Sequence, residues 1–453
     1  MGQRSGVRLV VASVAVVLGI GLLPAVAPAG AAPVTSCDVS SGRQPQRATP
    51  DALGFDPAAL QAALDFAASR NRVNVQVYRN NCLVASGPNN AVSNNVAWNL
   101  WSVTKSVVSM LTGIAYDEGK IGLDDPVGKY LPASLGDDAH RAITVRDLLT
   151  ETAGLLKSIG AEGLTGTVPV DPNIAVQAMG VPIVTPPGST FSYSQRTVDL
   201  LAYVVSRAVG EDLQQFAQRK LFDPLGIHAS DYFWARDRSG NTYGYAHLML
   251  PPNDLAKLGL LVGNKGRWNG TQVLSEDYVR RATQPSPRNA CYGFLFWLND
   301  TACVDDMGGG LPPDTVAKSG IGLQNAYVIP SLGLMVSWTG VFGNVSTMGV
   351  RGTLEHSDEL THNFFRRLLG AIRDTPVPDP GPYVEQPLTT GDSGDYLNTD
   401  ILLAALGIGP AAYPGCSIVT CLGQPLAPPL SGWPPGCVVQ VCVGSDPATP
   451  GIR

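Results

Sequence analysis

Charge is scarce in this chain. Asp, Glu, Lys and Arg make up 15% of its 453 residues, the formal net charge is −6, and no run of basic residues interrupts that balance. A nucleic-acid surface is not expected on those terms, because phosphate binding needs a concentrated positive face. Histidine is scarcer still. Five are scattered singly, His228 and His247 among them, with no H-E-x-x-H and no His/Cys cluster, so no metal site is expected and the histidines read as structural. The absence of G-x-S-x-G argues against an α/β-hydrolase triad, and the absence of a Gly-rich phosphate loop leaves no cofactor implied. Past the N-terminus no apolar run is long enough to cross a bilayer. The best, "ILLAALGIGPAAYPG" near position 400, is broken by Gly and Pro.

What is present begins with a targeting pattern. Arg4 and Arg8 form a basic head, "LVVASVAVVLGIGLL" an apolar middle and "APAGAA" a small-residue cleavage region, with cleavage expected after Ala31 or Ala32. Residues 1–31 are therefore expected to be a signal peptide and the mature protein to be secreted: extracellular, periplasmic or wall-associated, without a stable membrane span. The eight cysteines are an even number in a chain with an export signal, which favours disulfides. Cys37 with Cys82, Cys291 with Cys303, and the four tail cysteines among themselves are the candidate pairings.

The hydrophobic content of 44% is that of a globular core. "DPAALQAALDFAASRN" reads as an amphipathic helix opened by Asp56-Pro57, "VNVQVYRN" as a half-buried strand and "NCLVASG" as its hairpin partner. From there to about residue 286 the periodic segments are helical: "ITVRDLLTETAGL", "RTVDLLAYVVSRAVG", "DLQQFAQRKLF" and "NDLAKLGLLVGN". Strand character returns in "YGFLFWLN", "NAYVIPS" and "LGLMVSWTG", and "LTHNFFRRLLGAIR" closes the folded region as a helix. The class is α+β: the terminal segments share an antiparallel sheet, and a mainly helical region is inserted between them. The expected organisation is a signal peptide (1–31), an extension (32–51), one domain (52–373) and a Pro/Gly/Cys-rich extension (374–453). In the last, "PGCSIVTCLG" and "PGCVVQVCVG" are two copies of one pattern, each suited to a disulfide-pinned turn or hairpin.

The chemistry centres on "NLWSVTKSVVSML". Ser102 and Lys105 are three residues apart, and on a helix such positions share a face with Cβ atoms about 5–6 Å apart. If Ser102 opens the helix, its backbone N–H is one of the unpaired donors there. A serine hydroxyl needs a base before it is nucleophilic. A lysine supplies one when burial lowers its affinity for protons, and Leu100, Trp101, Val103, Val107 and Val108 would supply that burial.

Further segments fall into an order that resembles the serine β-lactamase and penicillin-recognising family, in particular its class C β-lactamase and family VIII esterase branch. Tyr193-Ser194-Gln195 looks like the Tyr-Ser-Asn element. "ITVRDLLTETAGL", "RKLFDPLGI" and "LPPNDLAKLGLLVGNKGRWNGTQVLSEDYV" are similar to other stretches of that branch, and Lys318-Ser319-Gly320 stands where Lys-Thr-Gly would. The resemblance runs over roughly residues 52–373 and implies a β-lactamase/transpeptidase-like fold. It implies that Ser102 is the acylated nucleophile and that Lys105 and Tyr193 act together as base and acid. It places Lys318 near the tyrosine or on a substrate carboxylate, and the N–H groups of Ser102 and Ile321 in the oxyanion hole. Ser319 and Gly320 complete the substrate-binding strand. Gln195 departs from the usual Asn, and its longer side chain argues against β-lactam or peptide recognition. The implied activity is hydrolysis of an ester or amide in a small-molecule, peptide or oligoamide substrate, by a carboxylesterase or amide hydrolase. A D-alanyl-D-alanine carboxypeptidase or a β-lactamase is the alternative. A low-turnover penicillin-recognising or wall-binding module is the alternative outside enzymes.

Overall fold

Helix α1 (Pro57–Ser69) starts where Asp56 caps it, the carboxylate accepting from the Ala58 and Ala59 N–H groups at 2.9 and 3.0 Å with Pro57 at the first helical position. It leads into β1 (Arg72–Arg79), β2 (Cys82–Ser86) and the short β3 (Ala97–Asn99). The segments that follow are α2 (Val103–Asp117), α3 (Gln195–Val209), β4 (Phe233–Trp234), β5 (Leu248–Leu250) and α4 (Pro252–Gly263). Then come β6 (Trp297–Leu298), β7 (Val316–Gly320), β8 (Gln324–Ile329), β9 (Leu334–Gly340), α5 (Ser357–Gly370) and, in the tail, β10 (Val441–Cys442). The computed structural model describes residues 1–2, 36–39, 41–42, 44–157, 169–303, 310–341 and 357–384. In the tail it describes 403, 406–409, 412, 415–417, 419–425 and 433–442. The expected signal peptide, except for its first two residues, and residues 158–168 lie outside the described residues.

The main sheet runs β2-β1-β9-β8-β7-β6 and is antiparallel throughout, so the first strands of the chain pair with the last strands of the domain. Strand alternation sends its side chains to two cores. On one face Val75, Val77, Tyr327 and Trp338 pack against α1 and α5, with Leu60, Phe364 and Leu368. On the other, Ala326, Val328 and Met335 join the core that holds α2, α3 and α4. A second sheet, β10-β3-β5-β4, lies at the start of α2. Four disulfides close Cys37–Cys82, Cys291–Cys303, Cys416–Cys421 and Cys437–Cys442. Both tail copies of the C-x4-C pattern are therefore pinned within themselves. Among the described residues no helix is long and apolar enough to cross a membrane.

Two expected elements differ. "YGFLFWLN" forms a strand only at Trp297–Leu298. Before that its backbone is bent, with Leu295 at φ 61°, and its polar groups find partners outside any ladder: Leu295 N–H donates to Leu149 O at 3.0 Å, and Ser106 Oγ donates to Leu295 O at 2.7 Å. Local strand propensity yields there to tertiary hydrogen bonds. The helix expected over "ITVRDLLTETAGL" is short, Val145–Leu149, opened by a Thr144/Asp147 capping box and ended as the chain turns left-handed at Glu151, φ 54°.

Candidate active site

α2 is buried on every side from Val103 to Ala115, so each polar residue on it needs a partner. Thr104 accepts from Leu248 N–H, Ser109 meets the Tyr278 hydroxyl at 3.2 Å, and Thr112 donates back to Val108 O. Gly113 lets the Tyr278 ring in, since a Cβ there would lie 2.4 Å from it. Ser102 is the residue before the first turn. A serine at this position commonly caps the helix with its own oxygen, but this Oγ makes no such bond. Lys105, buried one turn on, donates to it at 3.3 Å.

The same Nζ donates to Gln195 Oε1 at 2.5 Å and to Tyr245 O at 3.5 Å, and lies 4.3 Å above the centre of the Tyr193 ring. The Tyr193 hydroxyl lies close enough to Ser102 for the serine to lower its pKa. Burial raises the Tyr193 pKa above the ordinary phenol value; Ser102 offsets this in part, and the charge of Glu151 adds to it. The phenol is thus held in its protonated form. Its ring packs between Tyr292 and Trp297, with centroids 6.1 and 5.6 Å away.

The segment carrying Tyr193 and Gln195 is fixed from below. Ser194 caps α3, and its own N–H donates to the buried Glu151 carboxylate at 3.0 Å. Arg196, next in sequence, lies in the core between Asp171 and Asp199 at 2.7 and 2.8 Å. Burial pushes the Asp199 carboxyl upward, with the Arg196 charge opposing.

The end of β7 forms the opposite lip. Gly320 comes so close to the turn before Ser102 that a Cβ on it would lie 2.3 Å from Leu100 O and 3.2 Å from Trp101 Cβ. Glycine is required there by that approach. Ile321 opens the three-residue turn between the paired Gly320 and Gln324 and is exposed. Buried Arg72 clamps this turn, its Nη1 donating to Gly322 O at 2.9 Å and Leu323 O at 2.8 Å. Among the described residues no backbone carbonyl takes up the N–H of Ser102 or of Ile321.

Of the residues singled out in the sequence, Ser102, Lys105, Tyr193 and Gln195 meet at one point, with Gly320 and Ile321 beside them. Ser319 and Lys318 are directed elsewhere. Ser319 Oγ donates to Asn325 Oδ1 at 3.2 Å. Lys318 is buried, donates to Leu258 O within α4 at 3.0 Å and lies 5.5 Å from the centre of the Phe296 ring; none of its contacts is with Tyr193. Burial lowers its pKa to about 7. The sequence reading missed Glu151, Tyr245 and Arg72. Glu151 lies inside a quoted segment and a buried acid next to the tyrosine could have been suspected; nothing marks the other two. Among the described residues no group of three or more His, Cys, Asp or Glu could hold a metal.

The profile of the β-lactamase family matches residues 60–345. An uncharacterised Mycobacterium tuberculosis protein is 26% identical over 251 residues, 44% of this chain and 62% of that one. The esterase EstB of Burkholderia gladioli is 31% identical over 144 residues, 28% of this chain and 36% of EstB. The chain thus matches less than two thirds of the length of either. A Bacillus anthracis structure provisionally named a 6-aminohexanoate-dimer hydrolase superposes with a TM-score of 0.56 at 16% identity, over 73% of this chain and 88% of that one, a likeness of fold.

Proposed function

Because the chain belongs to the β-lactamase family, we propose that it is an exported serine hydrolase that cleaves a carboxylic ester or a related amide through an acyl-enzyme on Ser102. One observation carries the reading: the Ser102 hydroxyl lies within reach of both the Lys105 amine, at 3.3 Å, and the Tyr193 phenol. Ser102 Oγ attacks the carbonyl carbon as its proton passes to Lys105, which enters this step as the neutral amine. The carbonyl oxygen becomes an anion facing the Ser102 and Ile321 N–H groups, each such donor contributing about 3–4 kcal/mol in comparable sites. The bond to the leaving group breaks and the leaving oxygen or nitrogen takes a proton from the Tyr193 hydroxyl, which a protonated pair can supply again through Lys105. Water then attacks the ester on Ser102 with the same pair as base, releasing the acid and restoring the hydroxyl.

Two features favour an ester or a neutral amide over a β-lactam or a D-alanyl peptide, both of which present a carboxylate. Lys318, the cation expected to meet that carboxylate, is turned into the core against Leu258 O. Gln195 spends its side-chain oxygen on Lys105. The exposed Ile321 and Val341 flank the β7 turn and suit an apolar substrate group.

Hydrolysis of p-nitrophenyl butyrate by the native protein and by Ser102→Ala tests this directly. The native protein turns over and carries a fluorophosphonate label on Ser102 by mass spectrometry; the variant loses both. Equal turnover by the two would remove Ser102 from the chemistry.

A further inference from the structure

Trp101 adopts φ 49°, a left-handed conformation that is strained for a non-glycine residue. It is the residue immediately before the nucleophile, so its backbone sets where the Ser102 N–H and Oγ point. Strain of this kind persists only where surrounding contacts over-determine it. One contact is local: Trp101 N–H donates to Asn99 Oδ1 at 3.0 Å. A second is the bare Gly320 pressed against it. The third comes from the far end of the chain. The Trp101 indole N–H donates to Gln440 Oε1 at 2.9 Å.

Gln440 belongs to the second disulfide-pinned hairpin, whose β10 adds itself antiparallel to the edge of β3, Val441 opposite Trp98 and Cys442 opposite Ala97. Asn99, which holds the Trp101 backbone, is itself held by this hairpin: its N–H donates to Gln440 O at 2.9 Å and its amide Nδ2 to Val439 O at 2.8 Å. Gln440 Nε2 reaches Gly340 O at 3.5 Å, the carbonyl that also accepts from Gln324 at 2.7 Å. One tail side chain therefore spans from the turn before Ser102 to the last residue of the main sheet. A hairpin of this size has little stability of its own, and two constraints keep it in place: the Cys437–Cys442 bridge, and Trp433 packed on His247 and Phe233.

We propose that the hairpin Gly436–Cys442 is a positioning element of the Ser102 site, with Gln440 locking Trp101 so that the Ser102 N–H and hydroxyl stay aligned for acylation. Resting on the acyl-enzyme reading above, this makes the tail part of the site's supporting structure. Gln440 touches no reacting atom and acts through Trp101.

The full-length protein tests it with three readouts: the second-order rate of fluorophosphonate labelling at Ser102, kcat and KM for p-nitrophenyl butyrate, and Tm. Gln440→Ala lowers the labelling rate and kcat on the order of tenfold, the equivalent of one neutral hydrogen bond. KM stays within about twofold and Tm within a few degrees. Gln440→Glu keeps an acceptor for the indole and restores the labelling rate to within about threefold of native. An unchanged labelling rate in Gln440→Ala overturns the proposal, and so does an equal loss in both variants, which would make the position one of packing alone. A native protein that is not labelled at Ser102 overturns the hydrolase reading itself, and this inference falls with it; labelled native protein with indifferent Gln440 variants overturns only the inference.

Discussion

Lys105 and Lys318 are both buried, both near the cleft, and both stand where a family resemblance would put a working lysine. Their surroundings separate them. Lys105 lies among a hydroxyl, a side-chain carbonyl, a backbone carbonyl and an aromatic face. Among the described residues Lys318 meets one helix carbonyl and one phenylalanine ring. Burial weakens the hold of Lys318 on its proton, whereas Lys105 lies beside a hydroxyl with which it can exchange one. What makes a lysine chemically useful is the polar company it keeps inside the core, and substitutions can pull that contrast apart.

The largest effect belongs to Lys105→Met. With no amine beside Ser102 Oγ, kcat/KM for the reporter ester falls by roughly 10³-fold or more, while circular dichroism and Tm report a folded protein. A loss below about tenfold would leave Lys105 no more special than Lys318. Next comes Tyr193→Phe, which keeps the ring under Lys105 and removes the hydroxyl beside Ser102. The loss is roughly 10²-fold in kcat, as for removal of an acid–base group, and leaving groups that need no protonation recover part of it. Burial holds the native phenol protonated, so the alkaline limb of the kcat/KM profile does not report an ordinary tyrosine titration below pH 10. Gln195→Leu is milder. It strips Lys105 of the Gln195 Oε1 acceptor, and a tenfold drop in kcat/KM, about the worth of one hydrogen bond, is expected, with Gln195→Asn recovering some of it.

How far this contrast was legible beforehand depends on what each residue needed. That Ser102 and Lys105 share a helix face follows from helical spacing, a local periodicity, while their roles rest on the family resemblance; the shared sheet of the terminal segments follows from the order of strands and helices along the chain. Gly320 is readable in its motif, though not the reason for it, which is Leu100 O on the opposite side of the cleft. Lys318 could not be placed. Alternation assigns it to the face it occupies, shared with Ala326 and Met335, but which helix covers that face is a tertiary fact. Glu151 was hidden by a helix pattern that stops two residues before it. Arg72, reaching the carbonyls of a turn 250 residues away, leaves no trace in spacing at all. The two tail cysteine pairs were readable as local staples; the pairing of β10 with β3 was not, since an edge strand records its partner nowhere in its own sequence.

The smallest catalytic effect and the sharpest thermodynamic one belong to Lys318→Met. With no reacting group in contact, kcat/KM should stay within about threefold of native; a hundredfold loss would return Lys318 to the site and break the comparison. Stability moves instead. Burial sets the folded-state pKa near 7, well below that of an exposed lysine, so between pH 7 and about 10.4 the unfolded chain binds the extra proton. Native stability therefore rises with pH across that window, and below pH 7 the cost of the buried charge is fully present. Methionine carries no such cost. Differential scanning calorimetry should find Lys318→Met more stable than native at pH 6–7, with the gap narrowing steadily toward pH 10. A gap that stayed constant with pH would mean that Lys318 keeps its charge in the fold, and that some polar partner beyond Leu258 O compensates it there.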